Sequence, residues 1–175
     1  EIDTPPGTVY EARLRPDGRV WMSFGSGSLP RHLRSSAPRD TELAAIAPAP
    51  PEPGAPLREI SSDNGEGEAL GALLAKPIDR GPHPAVVLLH GGPHAEARDA
   101  WDPAVQAWID MGFAVLLPNF RGSTGREDAW RAAIVGDPGR LELIDIAAGV
   151  QHPVRDGIAD PSRIVVSGAP WGGYP

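Results

Sequence analysis

Three short, almost wholly apolar runs constrain this chain more than any other feature. They are AVVLLH (residues 85–90), FAVLLP (113–118) and RIVVSG (163–168). Each is too short for a helix and lacks the polar alternation of a strand with one wet face. Such runs suit strands covered on both faces of a sheet. Helical patterns separate them. Trp101, Val105, Trp108 and Ile109 recur at helical spacing, and Asp102-Pro103 supplies an N-cap and a first-turn proline. Leu143, Ile146, Val150 and Val154 mark a second helix, from about Pro138 to Arg155, with Asp137-Pro138 as its start. Strands alternating with helices imply a parallel sheet with helical crossovers, an α/β fold.

The first third of the chain reads differently. TVYEARL (8–14) and RVWMSF (19–24) are β-rich and flank the turn signal Arg15-Pro16-Asp17-Gly18, and SGSLPRHLRSS continues in extended, polar style. A Pro/Ala stretch, residues 47–56, cannot supply a regular ladder and marks a linker. We therefore expect β-strands over 1–46, the linker over 47–56 and the α/β domain over 57–175, whose first element is a hairpin around Asn64-Gly65.

Composition excludes several functions. The 175 residues carry a net charge of −7, which argues against nucleic-acid binding. No apolar run approaches a membrane span, and no signal peptide is visible. There is no cysteine, hence no disulfide and no thiolate metal site, which fits a reducing compartment. We expect a cytoplasmic protein with no membrane or nucleic-acid partner. The chain starts at Glu1 rather than Met and stops just after a glycine-rich turn, and reads as a fragment.

Three motifs follow the apolar runs in order: HGGPH (His90–His94), NFRGSTG (Asn119–Gly125) and GAPWGGY (Gly168–Tyr174). With them, Pro84–Tyr174 resembles the catalytic domain of the prolyl oligopeptidase family of serine peptidases, in its acylaminoacyl-peptidase and dipeptidyl-peptidase-like branch. The resemblance implies part of an α/β-hydrolase sheet, ending at the nucleophile elbow G-x-S-x-G. It makes residues 1–46 the end of a β-propeller and the Pro-rich stretch a hinge. The implied activity is hydrolysis of short peptides or acylated peptide N-termini through an acyl-enzyme, with peptide as the binding partner and no cofactor. Rival readings are an esterase-type α/β-hydrolase and a non-catalytic binding module.

The resemblance also assigns roles. Backbone N–H groups of Gly92 and Trp171 would form the oxyanion hole. His90, Gly91, Asn119, Arg121, Gly168 and Gly172 would shape the supporting loops. Position 170 would hold the nucleophile, and it is proline. Proline has no hydroxyl, and its φ is locked near −65°, whereas the elbow nucleophile is expected at positive φ. The catalytic carboxylate and histidine of the family follow the elbow, so neither Asp145 nor His90 fills those roles. Asp145 reads as a cap or ion-pair partner, and Arg121 as a buried group bonding backbone carbonyls. His90 and His94 are spaced i, i+4, but glycines and a proline between them preclude the helix a metal pair would need, so no metal is expected. Arg126-Glu127-Asp128 departs from the aromatic and glycine that often follow RGSTG. Pro153 falls inside the second helix, where its ring would clash with the Gly149 carbonyl, costing about 3 kcal/mol or ending the helix early. Pro175 stands where the elbow helix would propagate.

Overall fold

The computed structural model describes residues 4–36, 41–45 and 52–173. Residues 47–51 of the expected linker, Tyr174 and Pro175 lie outside them. Two compact units are present, one of residues 1–57 with 98–106 and one of 58–97 with 107–175.

The first unit is a four-stranded antiparallel meander in sequence order: β1 (Thr8–Leu14), β2 (Val20–Ser26), β3 (Leu29–Ser35) and β4 (Thr41–Ala45). The β1–β2 turn falls on Arg15–Gly18, where Gly18 takes φ +80° and donates its N–H to the Arg15 carbonyl at 3.0 Å. Met22 and Phe24 on β2 are buried, and His32 meets Phe24 edge-on at 5.7 Å. Residues 98–106 belong to this unit through polar contacts. The Asp99 carboxylate accepts the Gly27 N–H at 2.6 Å, and the Gln106 amide donates to the Gly27 carbonyl and accepts from the Ala55 N–H. Helix α1 (Pro103–Asp110) begins as the sequence suggests, with Asp102 Oδ1 accepting the Ala104 N–H at 2.8 Å.

The second unit holds a five-stranded mixed sheet. Its strands are β5 (Arg58–Asp63), β6 (Ala69–Ala75), β7 (His83–Leu89), β8 (Ala114–Asn119) and β9 (Ala159–Gly168), in the order β5-β6-β8-β7-β9. β5 and β6 form the hairpin expected at Asn64-Gly65, β6 meets β8 antiparallel, and β7 pairs in parallel with both β8 and β9. The core gathers Ala72, Leu74, Val87, Leu89 and Leu116 from the sheet, Phe120 from the loop after β8 and Ile146 from helix α3 (Arg140–Arg155). No helix among the described residues is long and apolar enough to cross a membrane.

Three local expectations are corrected. β9 is not covered on both faces: it borders the described sheet, with Val165 49% and Val166 55% exposed. Asp137-Pro138 does not start α3. Gly139, at φ +91°, is the N-cap and its N–H bonds Glu142 Oε2 at 2.9 Å, while Asp137 pairs with Arg140. Pro153 does not end α3, which continues to Arg155. Proline removes the N–H that would bond the Gly149 carbonyl, and α3 carries that loss with Pro153 buried. The Pro153 carbonyl is still used, accepting the Ile158 N–H at 2.9 Å.

The entry to β9 carries a local charge cluster. Asp160 accepts the backbone N–H and hydroxyl of Ser162 at Oδ1, and the Arg163 guanidinium at Oδ2. Ser162 thus lies within the first residues of β9. The Ser162 hydrogen bonds, then Arg163, hold the Asp160 carboxyl down from 3.8 to about 2. A depressed carboxylate stabilises the fold above its unfolded pKa, and that contribution is lost as pH falls through the folded one. We expect the Asp160 carboxyl carbon to titrate by NMR near pH 2 and its share of stability to fade between about pH 4 and pH 2. Titration at an ordinary carboxylate pKa would refute the cluster.

Candidate active site

β7 is where the chain changes direction in the sheet: β8 lies on one side of it and β9 on the other. In open α/β sheets, ligands bind beyond the carboxyl ends of strands at such a switch point. Here the ends of β7 and β9 run side by side in register, Leu88 against Ser167 and Leu89 against Gly168. The loops leaving them are HGGPH and GAPWGG.

The two loops meet where side chains are absent. A Cβ on Gly91 would stand 2.9 Å from both the Ala169 carbonyl oxygen and Pro170 Cδ. One on Gly168 would strike the Gly172 backbone, and one on Gly172 the Leu89 carbonyl. Gly92 takes φ +129°, a conformation open to glycine. After β9 the chain passes through Ala169-Pro170 into a 3-10 turn at Trp171–Gly173. No non-glycine residue described has positive φ, so position 170 does not adopt the strained backbone expected of an elbow nucleophile.

The NFRGSTG loop braces HGGPH from the other side through four sets of hydrogen bonds. Asn119 accepts the Ala97 N–H at 2.7 Å and donates to the Ala97 carbonyl at 3.0 Å. Thr124 N–H bonds the Ala95 carbonyl at 2.9 Å. His94 Nδ1 donates to the Gly122 carbonyl at 2.9 Å. His90 stacks on Phe120 with ring centroids 4.4 Å apart, its Nδ1 2.9 Å from the Gly91 carbonyl and its Nε2 2.8 Å from Ser123 Oγ. A carbonyl only accepts, so Nδ1 carries the proton, and in the neutral ring Nε2 accepts from Ser123. Burial holds the imidazole below the ordinary histidine range, against the raising effect of the Gly91 carbonyl and Glu96. The ring is thus arranged as a neutral spacer between two loops.

Arg121 is buried, as the sequence suggests, but its principal partners are carboxylates rather than backbone carbonyls. Nε and one terminal nitrogen bond Asp145, the other terminal nitrogen bonds Glu66 at 2.6 Å, and the one carbonyl contact, to Leu141, is long at 3.5 Å. Asp145, fully buried on α3, also accepts the Arg121 backbone N–H at 2.7 Å and the Asn64 amide at 3.0 Å. A guanidinium fork prefers such a planar partner to single carbonyls. Burial alone would lower the Arg121 pKa, yet the bonds to Asp145 and Glu66 outweigh it and the charge is held more firmly than usual. Arg126 does not disorder its loop: it lies 3.9 Å over the Trp130 ring and bonds the Ala69 carbonyl. Trp130 in helix α2 (Asp128–Ala132) bonds the Phe120 carbonyl through its indole N–H. Ser123, Asn64, Glu66 and Trp130 escape a reading of the sequence. Only Ser123 carried a signal, through its place in RGSTG.

Residues 100–175 match the model of the prolyl oligopeptidase family. The chain is 39% identical over 123 residues to dipeptidyl peptidase family member 6 of Caenorhabditis elegans, covering 70% of this chain and 16% of that protein. It is 31% identical over 125 residues to the acylamino-acid-releasing enzyme of Arabidopsis thaliana, covering 68% and 16%. The chain therefore spans about a sixth of the length of these curated relatives. In fold it superposes on the acylaminoacyl peptidase of Pyrococcus horikoshii with a TM-score of 0.84 at 20% identity, covering 99% of this chain and 28% of that one.

Proposed function

We propose that this chain, a member of the prolyl oligopeptidase family through residues 100–175, forms the nucleophile-bearing part of a serine-type peptidase domain in which proline has replaced the nucleophile. The observation that carries this reading is the register of β7 and β9, which sets HGGPH beside the turn at position 170. The ancestral reaction is hydrolysis of short peptides or acylated peptide N-termini. A serine at 170 would attack the scissile carbonyl, and the N–H groups of Gly92 and Trp171 would stabilise the oxyanion that forms. His90, Gly91, Asn119, Arg121, Gly168 and Gly172 hold the two loops in place. Residues 1–46 are the end of a β-propeller, 47–56 the linker and 57–175 part of the hydrolase domain, acting in the cytoplasm.

With Pro170 the acyl-enzyme cannot form. His90 supplies no base either, since both its ring nitrogens are engaged, one by the Gly91 carbonyl and one by Ser123. We expect no labelling of the chain by a fluorophosphonate and no hydrolysis of aminoacyl anilides or p-nitrophenyl esters. Pro170→Ser in a longer polypeptide that also carries the family's downstream aspartate and histidine should gain stoichiometric labelling, and peptide hydrolysis over ester hydrolysis separates peptidase from esterase. Labelling of the Pro170 chain, or silence of that longer variant, would overturn the reading. Non-catalytic peptide binding is the second reading, favoured by the proline at 170, which offers no hydroxyl.

A further inference from the structure

We propose that the turn of the β5–β6 hairpin, Asp63–Glu68, is a positioning element for the candidate active site, with Asn64 and Glu66 as its positioning residues. The inference rests on the reading of Gly92 as an oxyanion donor. In sequence this turn is an ordinary Asn-Gly hairpin, which needs no long-range partner. In the structure it is committed on both sides. Asn64 is 6% exposed, and its Oδ1 accepts the N–H groups of Glu66 and Glu68 at 2.9 and 3.1 Å. Those two bonds shape the turn, while Gly65 and Gly67 take φ +80° and +84°. The remaining Asn64 group, its amide nitrogen, reaches out of the turn to Asp145 Oδ1 at 3.0 Å.

Glu66 is presented by the same turn. Its Oε2 lies 2.6 Å from the Arg121 nitrogen that does not bond Asp145. The guanidinium is thereby held along two edges, by Asp145 from α3 and by Glu66 from the hairpin. Asp145 also grips the Arg121 backbone N–H. Backbone position at 121 passes directly to Gly122 and Ser123, whose carbonyl and hydroxyl meet His94 and His90. Thr124 then ties to Ala95. A continuous run of covalent and hydrogen bonds therefore leads from the turn to the HGGPH loop. A local surface ion pair would have no such continuation, since a half-exposed carboxylate on an arginine contributes little to stability by itself.

The test reads the far end of this run. Backbone hydrogen exchange would be measured at Thr124, which bonds the Ala95 carbonyl, and at Ala97, which bonds Asn119, in the intact chain and in Glu66→Ala and Glu66→Gln. We expect Glu66→Ala to speed exchange at both amides about three- to fivefold, with core amides such as Val86 unchanged. The His90 Nε2 nitrogen shift should move as its bond to Ser123 loosens. Glu66→Gln keeps an acceptor oxygen and should restore most of the protection. If Glu66→Ala altered exchange only within the turn, at Asn64 and Glu68, the turn would be a local structure and the proposal wrong. Should Glu66→Ala unfold the chain, Glu66→Asp, whose carboxylate stops one carbon short of Arg121, decides by the same criterion. Changed exchange at Thr124 and Ala97 with an unchanged core supports the proposal, and unchanged exchange at both overturns it. None of these readouts needs a nucleophile. A failure of the fluorophosphonate experiment would therefore sink the peptidase reading, and with it the role given to Gly92, while leaving the measured coupling between the turn and the HGGPH loop in place.

Discussion

Asp145→Ala is expected to lower the stability of the second unit by about 3–5 kcal/mol. The carboxylate has no solvent exposure and accepts from four groups: the Arg121 backbone N–H, Arg121 Nε, one terminal guanidinium nitrogen and the Asn64 amide. Truncation leaves a buried cation with only half its pairing and two neutral donors with no acceptor. The cost is the stranded charge rather than the worth of the pair, so removing both partners together should be milder. The double variant Asp145→Leu with Arg121→Met should recover much of the loss. Urea denaturation followed by circular dichroism measures both. A loss below about 1 kcal/mol for Asp145→Ala would show that water reaches the site and that the network is not the anchor described here.

Gly172→Ala should cost about 2–3 kcal/mol and open the turn after β9. Its φ does not require glycine, but a methyl group there would meet the Leu89 carbonyl, which β7 cannot yield without breaking its ladder. Gly71→Ala is the control: it lies on β6 with nothing within 4 Å of the added carbon, and should be nearly neutral. The expected result is a lower denaturation midpoint for Gly172→Ala alone, with a change in the emission of the adjacent Trp171. Equal midpoints for the two variants would mean that the glycine contacts at the turn are slack.

The α/β pattern was legible in the sequence because apolar runs and helical spacing record local burial. AVVLLH and FAVLLP became β7 and β8, and Asp102 capped α1 as its position suggests. RIVVSG misled because periodicity reports what a strand is suited to, not whether a neighbour covers it, and β9 borders the described sheet. Pro153 misled for a related reason: a local steric rule states a cost, and does not report the tertiary burial of Pro153 against which α3 carries it. The network around Arg121 was least legible. Its members, Asn64, Glu66, Arg121 and Asp145, are spread over 81 residues and share no spacing rule. Only tertiary folding brings them together, and the guanidinium selects carboxylates over carbonyls once they are within reach.

The grip of Asn119 on Ala97 divides responsibility between the two positions unequally. A carboxamide presents an acceptor and a donor side by side, as a peptide unit does, and it holds the N–H and carbonyl of one residue as a neighbouring strand would. It therefore reads main chain rather than side chain at position 97, where any residue but proline keeps both the donor and the acceptor. Position 119 has no such latitude. Aspartate would lack the donor, leucine both groups, and glutamine would carry the amide one carbon too far. The path of the chain just after HGGPH is thus encoded partly outside it, in one amide on another strand, and the letter at 97 can drift while that path stays fixed.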